Sequence, residues 1–85
     1  MMNNKVLVEI SVPAAGDKFD VLIPLESKMS DVLKLVSFVL SDLSDERYCA
    51  TEEAVLCDAK SGIIFNVNME VAELGIKNGS RLMLI

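Results

Sequence analysis

The stretch Ser27–Leu43, SKMSDVLKLVSFVLSDL, has the spacing of apolar residues that is typical of an amphipathic helix. At about 100° per residue, one broad stripe collects Met29, Val32, Leu33, Val36, Val39, Leu40 and Leu43. The opposite face carries Lys34, Ser37, Phe38 and Ser41, and Leu35 lies at the margin of the stripe. Ser27 or Ser30 can cap the first turn. A single helix with one apolar stripe needs a sheet to cover it.

Two strands are predicted before this helix. The run KVLVEISV, Lys5–Val12, alternates, so that one face carries Val6, Val8, Ile10 and Val12. Pro13 ends this strand. A second alternating run places Phe19, Val21, Ile23 and Leu25 on one face. The short link between the two runs predicts a hairpin, and Pro24 favours an edge position for the second strand because proline cannot donate to a ladder.

After the helix, the chain alternates between short strands and turns. A polar connection, SDERYCATEE, precedes the predicted strands 54–57, 63–65 and 81–85, and one helical turn is expected over 70–74, stopped by Gly75. Asn78-Gly79 is a turn signal. The last strand needs a partner, and a central position beside the first strand would pair both its edges. The sequence therefore predicts one α+β domain, residues 1–85, of β-grasp (ubiquitin-like) fold, with a mixed sheet ordered 2-1-5-3-4 and one helix across one face.

Composition excludes several classes of function. The chain has 85 residues, 52% of them apolar, which favours one compact ordered domain. It has no histidine, hence no imidazole base and no common nitrogen ligand for a metal. Eight basic residues against thirteen acids, a net charge of −5, argue against nucleic acid and anionic membranes as partners. We therefore expect no enzyme activity, no catalytic residues, no cofactor and no metal.

The two cysteines and the N-terminus indicate a reduced, cytoplasmic location. Cys49 and Cys57 have no CxxC spacing and cannot alone close a zinc site. No signal-peptide pattern is present, and the longest uncharged apolar stretch in the helix, Leu35–Ser41, is far below the ~20 residues that span a bilayer, so no membrane insertion is expected. Cys57 is interpreted as a structural residue of the sheet, and Cys49 as a loop residue without a redox or nucleophilic role. One region is crowded with acids, which are interpreted as a solvated loop, with electrostatic contact to a basic partner as the alternative: Asp42, Asp45, Glu46, Glu52, Glu53 and Asp58.

The end of the chain carries a resemblance to a known family. VAELGIKNGSRLMLI, Val71–Ile85, resembles the end of ubiquitin-like domains, and its G-I-x-N-G-x-R-L wording is similar to the YukD/EsaB family, small ubiquitin-like proteins associated with bacterial type VII (WXG-type) secretion. The helix entry SKMSDVLKLV resembles the same family. The resemblance implies a non-enzymatic cytoplasmic accessory or regulator, whose partners are components of the membrane-anchored secretion machinery. The stretch 44–53 matches nothing in that family.

Two other functions of this fold stay open. Ubiquitin and the sulfur carriers use a flexible C-terminal Gly-Gly, whereas this sequence stops at Ile85 inside a predicted strand, which disfavours a carrier or conjugating protein. The third possibility is a small β-grasp subunit of a multicomponent enzyme.

Apolar residues on the outer faces of the strands predict a protein-binding surface. Leu7 alternates with the core-facing valines of the first strand, and the same alternation turns Leu56, Met83 and Ile85 outward. On neighbouring strands these four would form one apolar patch on the open face of the sheet, where water normally meets polar residues. Phe38, opposite the helix stripe, is a second candidate. The patch could bind a protein partner or pair two copies as a homodimer, with Lys5 and Arg81 at its rim.

Overall fold

A computed structural model describes residues 4–43 and 54–85. Its elements in chain order are β1 (Lys5–Val12), a 3-10 helix (Pro13–Ala15), β2 (Asp17–Pro24), α1 (Met29–Leu43), β3 (Leu56–Asp58), a second 3-10 helix (Ala72–Leu74) and β4 (Arg81–Leu84). The strands form one sheet ordered β2-β1-β4-β3. β1 pairs antiparallel with β2 and parallel with β4, and β3 pairs antiparallel with β4. A mixed sheet with one α-helix against it is the predicted α+β arrangement.

The prediction of five strands is wrong for the described residues, where the sheet has four. The expected fourth strand, 63–65, makes a single bridge to Cys57, flanked by hydrogen bonds from Asp58 N to Ile63 O (2.9 Å) and from Phe65 N to Leu56 O (3.1 Å). It thus lies where the predicted order placed it, beside β3. It cannot continue as a strand because Asn66 Oδ1 accepts the Asn68 amide at 2.9 Å and turns the chain away.

The segment 66–69, which follows this turn, lies against the first residues of α1. The amide of Met29 donates to Met69 O at 2.8 Å, and the amide of Ser30 donates to Val67 O at 2.9 Å. Two of the helix amides that have no partner inside the helix are therefore satisfied by main-chain carbonyl groups. Lys28 directly precedes the first helical residue, so neither of the serines proposed as caps occupies the capping position.

The core lies between α1 and the inner face of the sheet. Fully buried side chains come from both layers: Val8, Ile10, Val12, Ile23, Met29, Val32, Val36, Leu40, Val71, Leu82 and Leu84. Four positions on the predicted helix stripe, 29, 32, 36 and 40, are buried as expected. Ser37, predicted on the opposite face, is buried, whereas Leu43, predicted within the stripe, is 54% exposed. The buried arc of α1 is therefore rotated toward Ser37 relative to the predicted stripe.

The Asn78-Gly79 turn does more than reverse the chain, because it is bonded to β1. The side-chain Oδ1 of Asn78 accepts the amide of Leu7 at 2.8 Å, and the amide of Gly79 donates to Leu7 O at 2.8 Å. Gly79 has φ +87°, a conformation that favours glycine. Glu9 N then donates to Ser80 O at 3.0 Å, where the β1–β4 pairing begins. The turn thus continues the hydrogen bonding between β1 and β4 from Glu9 back to Leu7.

Replacing Asn78 tests this anchor. We expect Asn78→Ala to lower the free energy of unfolding by about 1 kcal/mol, since the Leu7 amide loses its protein acceptor. Asn78→Asp keeps an acceptor oxygen at the same place and should retain most of the stability. Urea denaturation of the two variants and the parent measures the difference. An alanine variant as stable as the parent would show that the Asn78 bond contributes nothing.

Candidate functional site

The open face of the sheet, the face turned away from α1, carries both polar and apolar side chains. β1 contributes Leu7, Glu9 and Ser11, β2 contributes Lys18, Asp20 and Leu22, and β4 contributes Arg81 and Met83, with Ile85 beyond its end. The core-facing prediction for the alternate residues of β1 and β4 is confirmed. Outward residues on these strands are exposed or half-buried, as the alternation requires.

The strand register divides the predicted patch. Parallel pairing places Glu9 beside Arg81 and Ser11 beside Met83. Leu7 therefore lies at the Asn78-Gly79 turn, whereas Ile85 lies near the other end of the sheet, about 20 Å away at 3.3 Å per residue. The ion pair between Arg81 Nε and Glu9 Oε2, at 3.7 Å, lies between them. The expectation of one contiguous patch containing Leu7 and Ile85 is therefore wrong.

Leu56 is the second correction. It pairs with Leu84, is 2% exposed and belongs to the core, so its predicted outward position is wrong. Alternation fixes which residues share a face but not which face is buried. In Val55-Leu56-Cys57 all three residues are apolar, so the sequence does not decide. Pairing with β4 decides it, because Leu84 faces the core and Met83 faces outward.

The same pairing brings a different set of residues together. Cys57 pairs with Met83 on one side and bridges Ile64 on the other. Val55 and Ile85 exchange two main-chain hydrogen bonds, of 3.0 and 2.9 Å, in the adjacent row. We call these five residues, Val55, Cys57, Ile64, Met83 and Ile85, the open-face cluster. Ile64 and Ile85 are 60% and 61% exposed, so the cluster presents apolar surface to solvent.

Two of the predicted binding residues, Met83 and Ile85, thus lie in the open-face cluster, while Val55, Cys57 and Ile64 were missed. Val55 and Cys57 would have followed from the opposite phase of β3, and Ile64 joins them through its bridge to Cys57. Leu7 instead pairs directly with Leu22, and both are about half exposed. These two leucines form a smaller apolar pair at the far end of the open face.

Phe38 lies in the other layer of the molecule. It is 75% exposed on α1, and Leu35, three residues earlier on the same flank, is also exposed. The structure therefore does not bring Phe38 together with the open-face cluster. Its predicted role in binding a partner stays a prediction.

Basic side chains border the open face. A shallow depression beside β4 is lined by Lys18, Lys60, Lys77 and Arg81, four of the eight basic residues of a chain whose net charge is −5. Glu9 and Asp58 are the acids in its lining. Positive charge is therefore concentrated on this side, against the overall sign of the chain.

Asp58 has a structural explanation. Its Oδ2 accepts the amide of Ser61 at 2.9 Å, closing the turn after β3. Hydrogen bonds from the side chain and then the backbone of Ser61 hold the pKa of this carboxyl below its ordinary value. Of the predicted acidic region, Asp42 is exposed, and the residues between 44 and 53, including Cys49, lie outside the described part of the chain.

Cys57 is buried and unreactive in character. Burial raises the pKa of its thiol, and the nearby charge of Asp58 raises it further. Its Sγ donates to Met83 O at 3.7 Å. At neutral pH the thiol is therefore protonated, the form that does not act as a nucleophile. The role of sheet residue predicted for Cys57 fits this environment.

Residues 4–43 and 54–85 hold neither a metal-binding cluster nor a membrane-spanning helix. No group of three or more His, Cys, Asp or Glu side chains is placed to hold a metal ion there. No helix in the same ranges is long and apolar enough to cross a membrane.

Comparison with known proteins shows the fold. No protein-family model matches the sequence, and no curated protein is detectably similar to it. Among solved structures, the EccD5 ubiquitin-like domain from Mycobacterium xenopi is 22% identical, with 98% of this chain and 94% of that chain covered and a TM-score of 0.69. A chain of the ESX-5 inner membrane complex is also 22% identical, with coverages of 98% and 21% and a TM-score of 0.72. A chain of the toluene 4-monooxygenase HD complex is 18% identical, with coverages of 94% and 95% and a TM-score of 0.75. The fold is therefore ubiquitin-like.

Alanine variants distinguish the core position of Leu56 from the surface position of Ile85. We expect Leu56→Ala to lower the free energy of unfolding by about 2–5 kcal/mol, because it leaves a cavity between α1 and the sheet. Ile85→Ala should change it by less than about 0.5 kcal/mol, since most of that side chain is exposed. Thermal or urea unfolding measures both. Equal effects would contradict the assigned phase of β3.

Alkylation tests the environment of Cys57. In a Cys49→Ser variant, Cys57 is the single thiol, and iodoacetamide should modify it at least about tenfold more slowly in the folded protein than in urea. Because the pKa is raised, the folded-state rate should rise with pH at a higher midpoint than the rate in urea. Mass spectrometry follows the modification. A folded-state midpoint below that of the unfolded chain would contradict the burial of the thiol.

Proposed function

We propose that this chain is a non-enzymatic protein-interaction module, a cytoplasmic accessory or regulatory component of a bacterial type VII secretion system. The observation that carries the proposal is the open-face cluster, which exposes Ile64 and Ile85 on a ubiquitin-like fold. The similarity to the EccD5 domain and to a chain of the ESX-5 inner membrane complex supports the link to secretion. The sequence motif G-I-x-N-G-x-R-L at residues 75–82 supports membership of the YukD/EsaB family.

The exposed apolar area of the open-face cluster favours binding to a partner. A sheet with one covered face normally presents polar residues on the other, and contiguous exposed apolar surface marks an interface. The open-face cluster departs from that pattern at the end of the sheet formed by β3 and β4. Its removal from water by a partner supplies the driving force for association.

The charges around the open face indicate what the partner presents. Lys18 lies in the same row of the sheet as Met83, and Arg81 lies in the next row. Lys60 and Lys77 line the depression beside β4 together with them. Rim charges steer association and select partners more than they add affinity. The proposed partner therefore contacts the cluster with apolar side chains and surrounds that contact with carboxylates.

A non-enzymatic role agrees with the chemistry of the described side chains. The sequence has no histidine, and the thiol of Cys57 is held in its neutral form by burial. Asp58 closes a turn through Ser61. What these groups do in the fold is structural, which leaves the surface as the functional feature.

One observation favours a second candidate function. The similarity to a chain of the toluene 4-monooxygenase HD complex covers nearly the whole of both chains. A small subunit of a multicomponent oxygenase would also be non-catalytic by itself and would also act through a surface. The partner distinguishes the two candidates.

Charge substitutions in the open-face cluster test the proposal. We expect Ile64→Asp combined with Ile85→Asp to abolish partner binding, because both side chains are exposed and the new carboxylates would be buried in the complex. The matched control is Leu22→Asp combined with Leu35→Asp, which adds the same charge at exposed leucines elsewhere. Circular dichroism verifies the fold of both variants.

The readout is affinity capture from the native cell, with captured proteins identified by mass spectrometry. Loss of secretion-machinery proteins in the cluster variant alone supports the proposal. Equal capture by the cluster variant and the parent contradicts the assigned surface, and capture of oxygenase subunits by the parent replaces secretion with the second candidate. Phe38→Asp, made separately, tests the predicted helix site in the same assay.

A further inference from the structure

β2 is the outer strand of the sheet and has one strand neighbour, β1, among the described residues. The amide of Leu25 donates to Asn4 O at 2.7 Å, directly opposite it in the β1–β2 register. Because antiparallel bonding alternates, the odd-numbered residues of β2 bond to β1. The main-chain groups of Lys18, Asp20 and Leu22 therefore point to the free edge.

The charges on this edge have an unusual arrangement. Lys18 and Asp20 are exposed and share the open face. Asp20 lies directly opposite Glu9 of β1, which carries a like charge. On its other side, Glu9 is paired with Arg81 of β4. Like charges directly opposite each other are destabilising, so Asp20 gains from a cation on its free side.

The pattern is complementary to itself. When two such edges pair antiparallel about a twofold axis at Phe19, Lys18 of each copy lies opposite Asp20 of the other. Both residues point their main-chain groups toward the new neighbour, so each of the two pairs can form a pair of ladder hydrogen bonds. Phe19, half-buried at the margin of the core, then faces its own copy across the axis.

We propose that the free edge of β2 pairs with the same edge of a second copy, joining two four-stranded sheets into one through reciprocal Lys18–Asp20 pairs. This surface lies on the opposite edge of the sheet from the open-face cluster, so a dimer leaves the cluster accessible. The inference does not depend on the proposed function.

Other alignments of the two edges lack this match. An axis at Asp20 places Asp20 opposite its own copy, and an axis at Val21 places it opposite Leu22. The charges thus select the axis at Phe19. One local bond must be exchanged: the amide of Lys18 donates to Asp17 Oδ1 at 2.8 Å and would transfer to the carbonyl of Asp20 of the second copy.

Charge reversal tests the pairing by sedimentation velocity at increasing protein concentration. We expect the parent to dimerise weakly, as a short edge contact should. With Lys18→Asp alone, both cross-copy pairs consist of two aspartates. With Asp20→Lys alone, both pairs consist of two lysines. Each single variant should self-associate at least about tenfold more weakly than the parent.

Two further samples separate charge matching from general damage to the edge. An equimolar mixture of Lys18→Asp and Asp20→Lys should form a heterodimer, because one edge is then acidic and the other basic. The double variant, with both substitutions in one chain, restores the match and should dimerise like the parent. A monomeric parent, undiminished single variants, or a mixture that fails to associate overturns the proposal. Partner capture by the Asp20→Lys variant, which leaves the basic residues beside the open-face cluster in place, reports separately on that cluster.

Discussion

The parallel pairing of β4 with β1 is the constraint on which the rest of the structure depends. It places β4, the last described strand, in the middle of the sheet, where β4 has a neighbour on each side. Its register is set before β4 begins, because Asn78 and Gly79 both bond to Leu7. Every residue downstream inherits that alignment: Leu82 and Leu84 face the core, and Met83 and Ile85 face outward. β3 then takes its own phase from β4.

That dependence explains what could be predicted from the sequence. Periodicity is a local property, so the strand at 5–12, the part of β2 from Phe19 onward and the buried positions 29, 32, 36 and 40 of α1 follow from it. The central place of the last strand also follows, since a strand needs neighbours. Register between distant strands is not local. Ile85 follows Met83 by two residues and so shares its face by alternation alone, but whether Leu7 also lies beside Met83 depends on the bonds between β1 and the turn at 78–79.

β3 shows the same limit at the scale of one residue. β3 is a strand of three residues, LCD, and with Val55 before it both phases of the alternation offer an apolar side chain to the core. Leu56 and Cys57 are both 2% exposed in the structure, so burial of an apolar residue does not by itself decide the phase. Pairing with Leu84 determines the phase, because the side chain of Leu84 is buried and Leu56, directly opposite it, faces the same side of the sheet. The open-face cluster could therefore be recognised only once the pairing with β4 was known.

The apolar surplus of the chain is distributed by these registers rather than collected into one surface. The middle row of the open face holds Asp20, Glu9 and Arg81, with Leu7 and Leu22 on one side and the open-face cluster on the other. An exposed ion pair such as Glu9–Arg81 contributes little to stability. Its effect is to interrupt the apolar surface, which limits the area that could associate indiscriminately. A partner that covers the cluster must also meet Arg81 at its border, so the same charged row that divides the apolar surface supplies the selectivity for what binds there.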